Sequence, residues 1–221
     1  MKIAIIGIGQ FGLQLALALA EDKHEVIVID QDEKTVDSLK DKVAHAVIGD
    51  AKDIKVLDEL GLTKVDRVCV TIGEDFAASL LITGHLQELG VKNIYCRSIN
   101  HVHERLLRLM KVDNIIQAEA LAARQLAKRM GIRGATRHFG LSNDFGIVEL
   151  SVPEFLVGKR LMEADLRRRF TVNLVTVRRN RGEESAIIGV PPPDLMFEEG
   201  DELVVFGTDQ AIREFSTRKS F

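Results

Sequence analysis

The chain has 221 residues, 46% of them hydrophobic, with a net charge of -3 and a pI near 6.1. That is apolar material enough for one full domain and a smaller module, and the lack of a global basic field argues against nucleic acid as the main partner. No helix-turn-helix, zinc-finger, P-loop, G-x-S-x-G or H-E-x-x-H pattern occurs.

Lys2 to Ile6 is a β-branched apolar strand, Gly7-Ile8-Gly9-Gln10-Phe11-Gly12 fits G-x-G-x-x-G, and Leu13 to Ala20 is a helix-forming segment. In such a strand, turn and helix the glycines have separate tasks. Gly7 makes the turn, Gly9 lets backbone N–H groups approach a pyrophosphate, and Gly12 lets the helix pack on the strand. The helix start offers unpaired N–H groups and a positive dipole end to the anion. His24 to Asp30 is a second strand ending in an acid, at about the 20-residue distance of a ribose contact. The Asp30 carboxylate accepts from ribose hydroxyls and repels a 2′-phosphate, so NADP is disfavoured. Gln10, Gln14 and the glycines interrupt the run Ile3 to Ala20, which reads as strand plus helix and not as a membrane span. With no signal peptide read at the amino terminus, the expected location is cytoplasmic.

A helix is expected over Glu33 to Lys42, with Val36 and Leu39 on its apolar side, then a strand at His45 to Ile48 leading to Gly49-Asp50-Ala51. Strand ends on this side of a doubly wound sheet face the ligand crevice. Helix Ile54 to Leu60, closed by Gly61, precedes strand Arg67 to Ile72 and the turn Gly73-Glu74-Asp75. Helix Phe76 to Leu89, strand Asn93 to Arg97, helix Val102 to Met110 and strand Asn114 to Ile116 continue the alternation, which implies an α/β fold, a Rossmann-like doubly wound parallel sheet.

Glu119 to Met130 is an amphipathic helix with Leu121, Ala122, Leu126, Ala127 and Met130 on or near one stripe. Periodicity alone leaves open whether it packs on its own sheet or docks on a partner subunit. Gly131 to Asn143 reads as a linker. The remainder is a smaller α+β lobe: strand Gly146 to Val152, a helix around Leu161 to Arg169, strand Val172 to Arg178, a turn at Asn180 to Gly182, strand Ser185 to Ile188, strand Glu202 to Phe206 and helix Thr208 to Thr217.

No catalytic set stands out. The six histidines form no recognisable pairing, and His101 and His103 are spaced so that they do not share a helix face. Cys69 and Cys96 fall in strands without a C-x-x-C, as buried reduced thiols do. Arg97 suits a phosphate as a bidentate donor, and Glu119 suits a hard cation such as Mg²⁺ or Ca²⁺; each also reads as a helix-end charge. Arg167, Arg168 and Arg169, with Arg178, Arg179 and Arg181, make the second lobe locally basic, either as a solvated face or as a site for an anionic effector or an acidic loop of a membrane partner.

GIGQFG, VIVID with Asp30, AVIGDA with Asp50, VTIGED with Gly73, Arg97, the Glu119 helix, GKRLMEADLRRRF and FEEGDELVVFG together resemble the regulatory subunits of Trk/Ktr potassium transporters, the RCK or KTN proteins. The resemblance covers essentially the whole chain and implies an N-lobe over 1–134, with a crossover helix near 119–130, and a TrkA-C lobe over 141–221. It implies a peripheral cytoplasmic protein on the inner face of the plasma membrane, a homo-oligomer assembled as an octameric ring of dimers beneath a membrane potassium-translocating subunit, and no enzyme activity. ATP/ADP or NAD(H) would bind Gly7, Gly9, Gln10, Phe11, Gly12, Asp30, Asp50, Ala51, Gly73 and Arg97. Glu119 would take part in a divalent-cation site between subunits, and the second lobe would bind cyclic di-AMP near Asn173. Many Ktr members have arginine where this chain has Gln10, so charge-based reading of a terminal phosphate is weakened here. The rivals are an NAD-dependent oxidoreductase and a nucleotide-binding transcriptional regulator.

Overall fold

The computed structural model describes residues 1–181 and 184–218, apart from the side chains of Arg181 and Glu184. It divides into two compact units, Met1–Glu119 and Ala120–Phe221.

The first unit alternates strand and helix: β1 Lys2–Ile6, α1 Gln10–Glu21, β2 Glu25–Asp30, α2 Glu33–Asp37, β3 His45–Ile48, α3 Ile54–Glu59, β4 Arg67–Val70, α4 Phe76–Glu88, β5 Ile94–Arg97, α5 His101–Leu109 and β6 Asn114–Ile116. Its six strands are all parallel, in the order β3-β2-β1-β4-β5-β6, the doubly wound arrangement that places a ligand crevice where β1 and β4 lie side by side. The sheet is covered on both faces, which is why its strands are continuous apolar runs. Ile3 and Ile5 pack with Val26, Val28, Ala16 and Leu39 on one face. Ala4 and Ile6 pack with Ile27, Leu57, Ile82 and Leu107 on the other.

Helix α2 stops at Asp37 and not at Lys42. The Ser38 hydroxyl donates to the Thr35 carbonyl at 2.7 Å, the Leu39 amide turns to Val36 only three residues back, and the chain leaves the helix in tight turns. Leu39 is nevertheless fully buried, so the apolar spacing was read correctly although the helix ends early.

Helix α6, Ala118–Met130, begins at the end of the first unit and continues into the second. The second unit then contains β7 Ala135–Gly140, β8 Phe145–Ser151, α7 Leu161–Ala164, α8 Leu166–Phe170, β9 Asn173–Arg181, β10 Glu184–Ile187, β11 Glu202–Thr208 and α9 Asp209–Thr217. Its antiparallel sheet runs β10-β9-β11-β8-β7. Phe170, Phe197, Ile212 and Phe215 cover one face, against Val148, Leu150, Val177, Leu203 and Val205. Each fully buried side chain of this size contributes about 1.5–3 kcal/mol.

Two expectations change here. The stretch 131–143, read as a linker, contains β7, which pairs with β8 through His138↔Val148 and Phe139↔Ile147. As an edge strand it leaves most of its residues exposed, so it lacks the buried alternation by which a strand is recognised. The helix expected over Leu161 to Arg169 is two short helices, because Asp165 between them takes a left-handed conformation with φ 41. At the expected turn, Asn180 belongs to β9, and Gly182 lies outside the described residues.

Candidate functional site

β1 delivers the chain into a turn at Gly7, whose φ of 91 is left-handed and whose added Cβ would lie 2.6 Å from Ile72 Cγ1. Only glycine fits such a position. Gly12 meets a different limit: a Cβ there would come 2.2 Å from the Gly7 carbonyl oxygen and 2.7 Å from Thr71 Oγ1, so its absence lets α1 approach the strands. Gly9 is the N-cap of α1 and contributes no side-chain cap, and a Cβ there would meet nothing within 4 Å. The first-turn N–H groups of α1, which have no intrahelical acceptor, are thus presented at an uncrowded glycine. With the dipole they form a seat for an anion. Gln10 is exposed on the first turn of the same helix.

The acid at the end of β2 is built into this turn. Asp30 Oδ2 accepts the Ile8 amide at 2.5 Å and Oδ1 the Asp32 amide at 2.9 Å, and each oxygen keeps a further acceptor site. Thr71, fully buried after β4, donates its hydroxyl to the Gly7 carbonyl at 2.5 Å. Sequence reading missed this threonine; its signal is a polar residue closing the apolar run of a central strand. Asp50 is exposed and accepts the Lys52 amide at 3.0 Å, whereas Ala51 is buried.

Arg97, the last residue of β5, reaches toward the same region. Its guanidinium lies 5.5 Å from the centroid of the Phe11 ring in α1, within the range of a cation–π contact. A Cβ on Gly73 would stand 2.6 Å from its Nη1, and Nη2 donates to Glu119 Oε1. Arg97 Nε is buried with no acceptor among the described residues. The Glu119 carboxyl is held below the usual range by its own backbone amide and then by Arg97. Gly7, Gly9, Gln10, Phe11, Gly12, Asp30, Gly73 and Arg97 thus belong to neighbouring turns at the carboxyl ends of β1, β2, β4 and β5, with Asp50 and Ala51 following β3. Glu119 is brought to Arg97, and among the described residues no cluster of three or more His, Cys, Asp or Glu is arranged to hold a metal ion.

The remaining candidates are accounted for otherwise. His103 is fully buried, both ring nitrogens without a partner among the described residues, its ring 5.9 Å from that of Phe76, and burial lowers its pKa. Burial pushes the Cys69 thiol up to about 11 and raises that of Cys96, so both are poor nucleophiles. In the second unit Arg178 Nε donates to Glu149 at 2.5 Å, and Arg179 forms a two-pronged pair with Asp201 at 2.9 and 2.8 Å. Those two arginines stabilise the lobe and add little to an open basic face. Asn173 Oδ1 accepts from Arg167 Nε at 2.5 Å. Elsewhere in the second unit a groove of about 680 Å³ is lined in part by Ala122, Leu126, Arg129, Phe139, Ile147 and Glu149. Helix α6 buries none of its residues, and Leu121, Leu126 and Met130 are exposed. Among the described residues no helix is long and apolar enough to cross a membrane.

Residues 3–118 match the TrkA-N domain family and residues 147–219 the TrkA-C domain family. The chain is 35% identical over 217 residues to Ktr system potassium uptake protein C of Bacillus subtilis (strain 168), covering 98% of this chain and 96% of that one. It is 29% identical over 214 residues to Ktr system potassium uptake protein A of the same organism, covering 97% and 95%. Among solved structures it is similar to the GsuK channel bound to NAD, with a TM-score of 0.64 and 19% identity over 97% of this chain and 39% of that chain. A likeness at that identity establishes the shared fold. On the two domain matches and the full-length relatives, the chain belongs to the TrkA family, whose members include the Ktr and Trk potassium uptake proteins.

Proposed function

We propose that this chain is the nucleotide-sensing regulatory subunit of a potassium uptake system, in which ligand bound at the glycine turn biases the arrangement of a ring of subunits. The observation that carries the reading is the anion seat at the start of α1, with Asp30 hydrogen-bonded to Ile8 of the same turn. ATP/ADP or NAD(H) would place phosphates on Gly7, Gly9 and Gly12, beside Gln10 and Phe11, ribose on Asp30, and the base near Asp50 and Ala51, with Gly73 lining the crevice. Coupling requires that the ligand differ in affinity for two ring states. Because Gln10 brings no charge, the terminal phosphate is read by hydrogen bonding, which leaves NAD(H) and AMP-type ligands as candidates beside ATP and ADP.

The proposed lobes are 1–134 and 141–221, β7 adding a strand to the second. The protein would work as a homo-oligomer, an octameric ring, in the cytoplasm against a membrane potassium-translocating subunit, and it would catalyse no reaction. A Mg²⁺ or Ca²⁺ site would need Glu119 together with ligands from another subunit or a nucleotide. Cyclic di-AMP would be bound near Asn173. Titration calorimetry with ATP, ADP, NAD and NADH tests the central claim. Binding in the micromolar to millimolar range, lost in Asp30→Ala, is expected; no binding of any of them at millimolar concentration overturns it.

A further inference from the structure

Arg97 and Glu119 form an unequal pair. The arginine side chain is 16% exposed and the glutamate side chain 66%. The cation is fixed by the nucleotide-binding lobe, between the Phe11 ring and the Gly73 backbone, whereas the acid is presented to it from the first turn of α6. Phe11 is the second residue of α1, the helix whose N-terminus forms the anion seat. The guanidinium therefore stands beside the place where a phosphate would sit.

The pair leaves the arginine incompletely satisfied. Nη2 donates to Glu119, but Nε is buried with no acceptor among the described residues, and a buried donor left unmade is costly, more so when charged. A phosphate with several free oxygens suits the planar fork better than a single carboxylate oxygen. Where no divalent cation bridges them, a phosphate drawn to this guanidinium would also stand near Glu119, and two anions at one guanidinium repel each other, so the exchange of one for the other is a property of the metal-free protein.

We infer that Arg97 is an exchange switch, pairing with Glu119 without nucleotide and turning to a nucleotide phosphate when one binds, so that the first turn of α6 is released. The inference rests on the nucleotide-binding reading above and adds its regulation. Glu119 is the last residue of the first compact unit, and α6 runs on from it into the second. Ligand binding would thereby alter the hold on the one helix that connects them.

A double-mutant cycle read by titration calorimetry with ADP and with NAD tests it. Glu119→Gln should bind either probe about two- to fivefold more tightly, as expected from removing an exposed competing ion pair. Arg97→Gln should weaken binding by about tenfold or more, and adding Glu119→Gln to it should change nothing further. In the unaltered chain, hydrogen exchange over residues 118–124 should rise on adding ADP, and in Glu119→Gln it should be raised before any is added. If the unaltered chain binds and Glu119→Gln binds equally or more weakly, the exchange fails while nucleotide sensing stands. If the unaltered chain binds neither probe, the functional reading fails and the exchange with it. Should Arg97→Gln melt early, the Glu119→Gln arm decides, since that side chain is largely exposed.

Discussion

The Asp30 carboxylate accepts the Ile8 amide at 2.5 Å, so the acid that ends β2 holds the glycine turn that follows β1. One side chain thus shapes the turn, and the proposed function gives it a ribose contact as well.

The two tasks separate by substitution. Asp30→Asn keeps an oxygen for the Ile8 amide but loses the charge, while Asp30→Ala loses both. Affinity for ADP or NAD should fall by about tenfold in Asp30→Asn, as expected for a hydrogen bond to a charged group, and further in Asp30→Ala. Calorimetry checks the order. Equal affinity in Asp30→Asn and the unaltered chain would confine Asp30 to shaping the turn.

Gly9 and Gly12 should respond in opposite ways to alanine. A Cβ on Gly12 meets the Gly7 carbonyl at 2.2 Å, so Gly12→Ala should cost about 1–3 kcal/mol through overpacking, visible as a lowered urea midpoint. A Cβ on Gly9 meets nothing within 4 Å, and the residue's φ of -72 suits any side chain. Gly9→Ala should melt like the unaltered chain yet bind nucleotide more weakly if the proposed function holds, because its methyl group would enter the space that the proposal gives to a phosphate.

These contrasts show what was legible in the sequence. The G-x-G-x-x-G turn and Asp30 at the end of β2 could be placed because Gly7 and Gly12 answer backbone demands that the spacing records. Thr71 is marked in the sequence only as a polar residue closing an apolar strand, and nothing local to it names the Gly7 carbonyl, 64 residues away, as the partner of its hydroxyl. The same limit hid β7, whose pairing comes from β8 and not from its own alternation. It also hid the ties of Arg178 and Arg179, which read as a basic face until Glu149 and Asp201 are brought to them. Helix α6 shows the converse: its stripe was visible, and α6 buries none of its own residues.

His103 should make the first unit acid-sensitive. Burial lowers its pKa from 6.5 in the folded state, and among the described residues neither ring nitrogen has a partner. The unfolded chain takes up a proton below about pH 6.5 while the folded chain resists it. Stability should therefore fall as pH drops through 6.5 toward the folded-state pKa, and level off below it. His103→Leu removes the titrating group and two unsatisfied atoms at modest change in volume, so its urea midpoint at pH 7.5 should change little. Between pH 7.5 and 5.5 it should lose less stability than the unaltered chain. Parallel pH profiles would assign the acid sensitivity elsewhere.

Asp201 is the buried anchor of the second unit. At 1% exposure, it accepts Arg179 Nε and Nη2 at 2.9 and 2.8 Å and the Glu198 amide at 2.9 Å, so it ties the turn before β11 to β9. Asp201→Ala strands the guanidinium with only Glu198 and the Met196 carbonyl, and should cost about 3 kcal/mol, at the lower end for breaking a buried pair because those contacts remain. Asp201→Asn keeps an acceptor oxygen and should cost less. The double variant Arg179→Met with Asp201→Ala should recover part of the loss, since removing both charges is cheaper than orphaning one. Urea denaturation of the three variants measures this. If Asp201→Ala unfolds at the same midpoint as the unaltered chain, the turn is held instead by Phe197, the fully buried core residue that immediately precedes it.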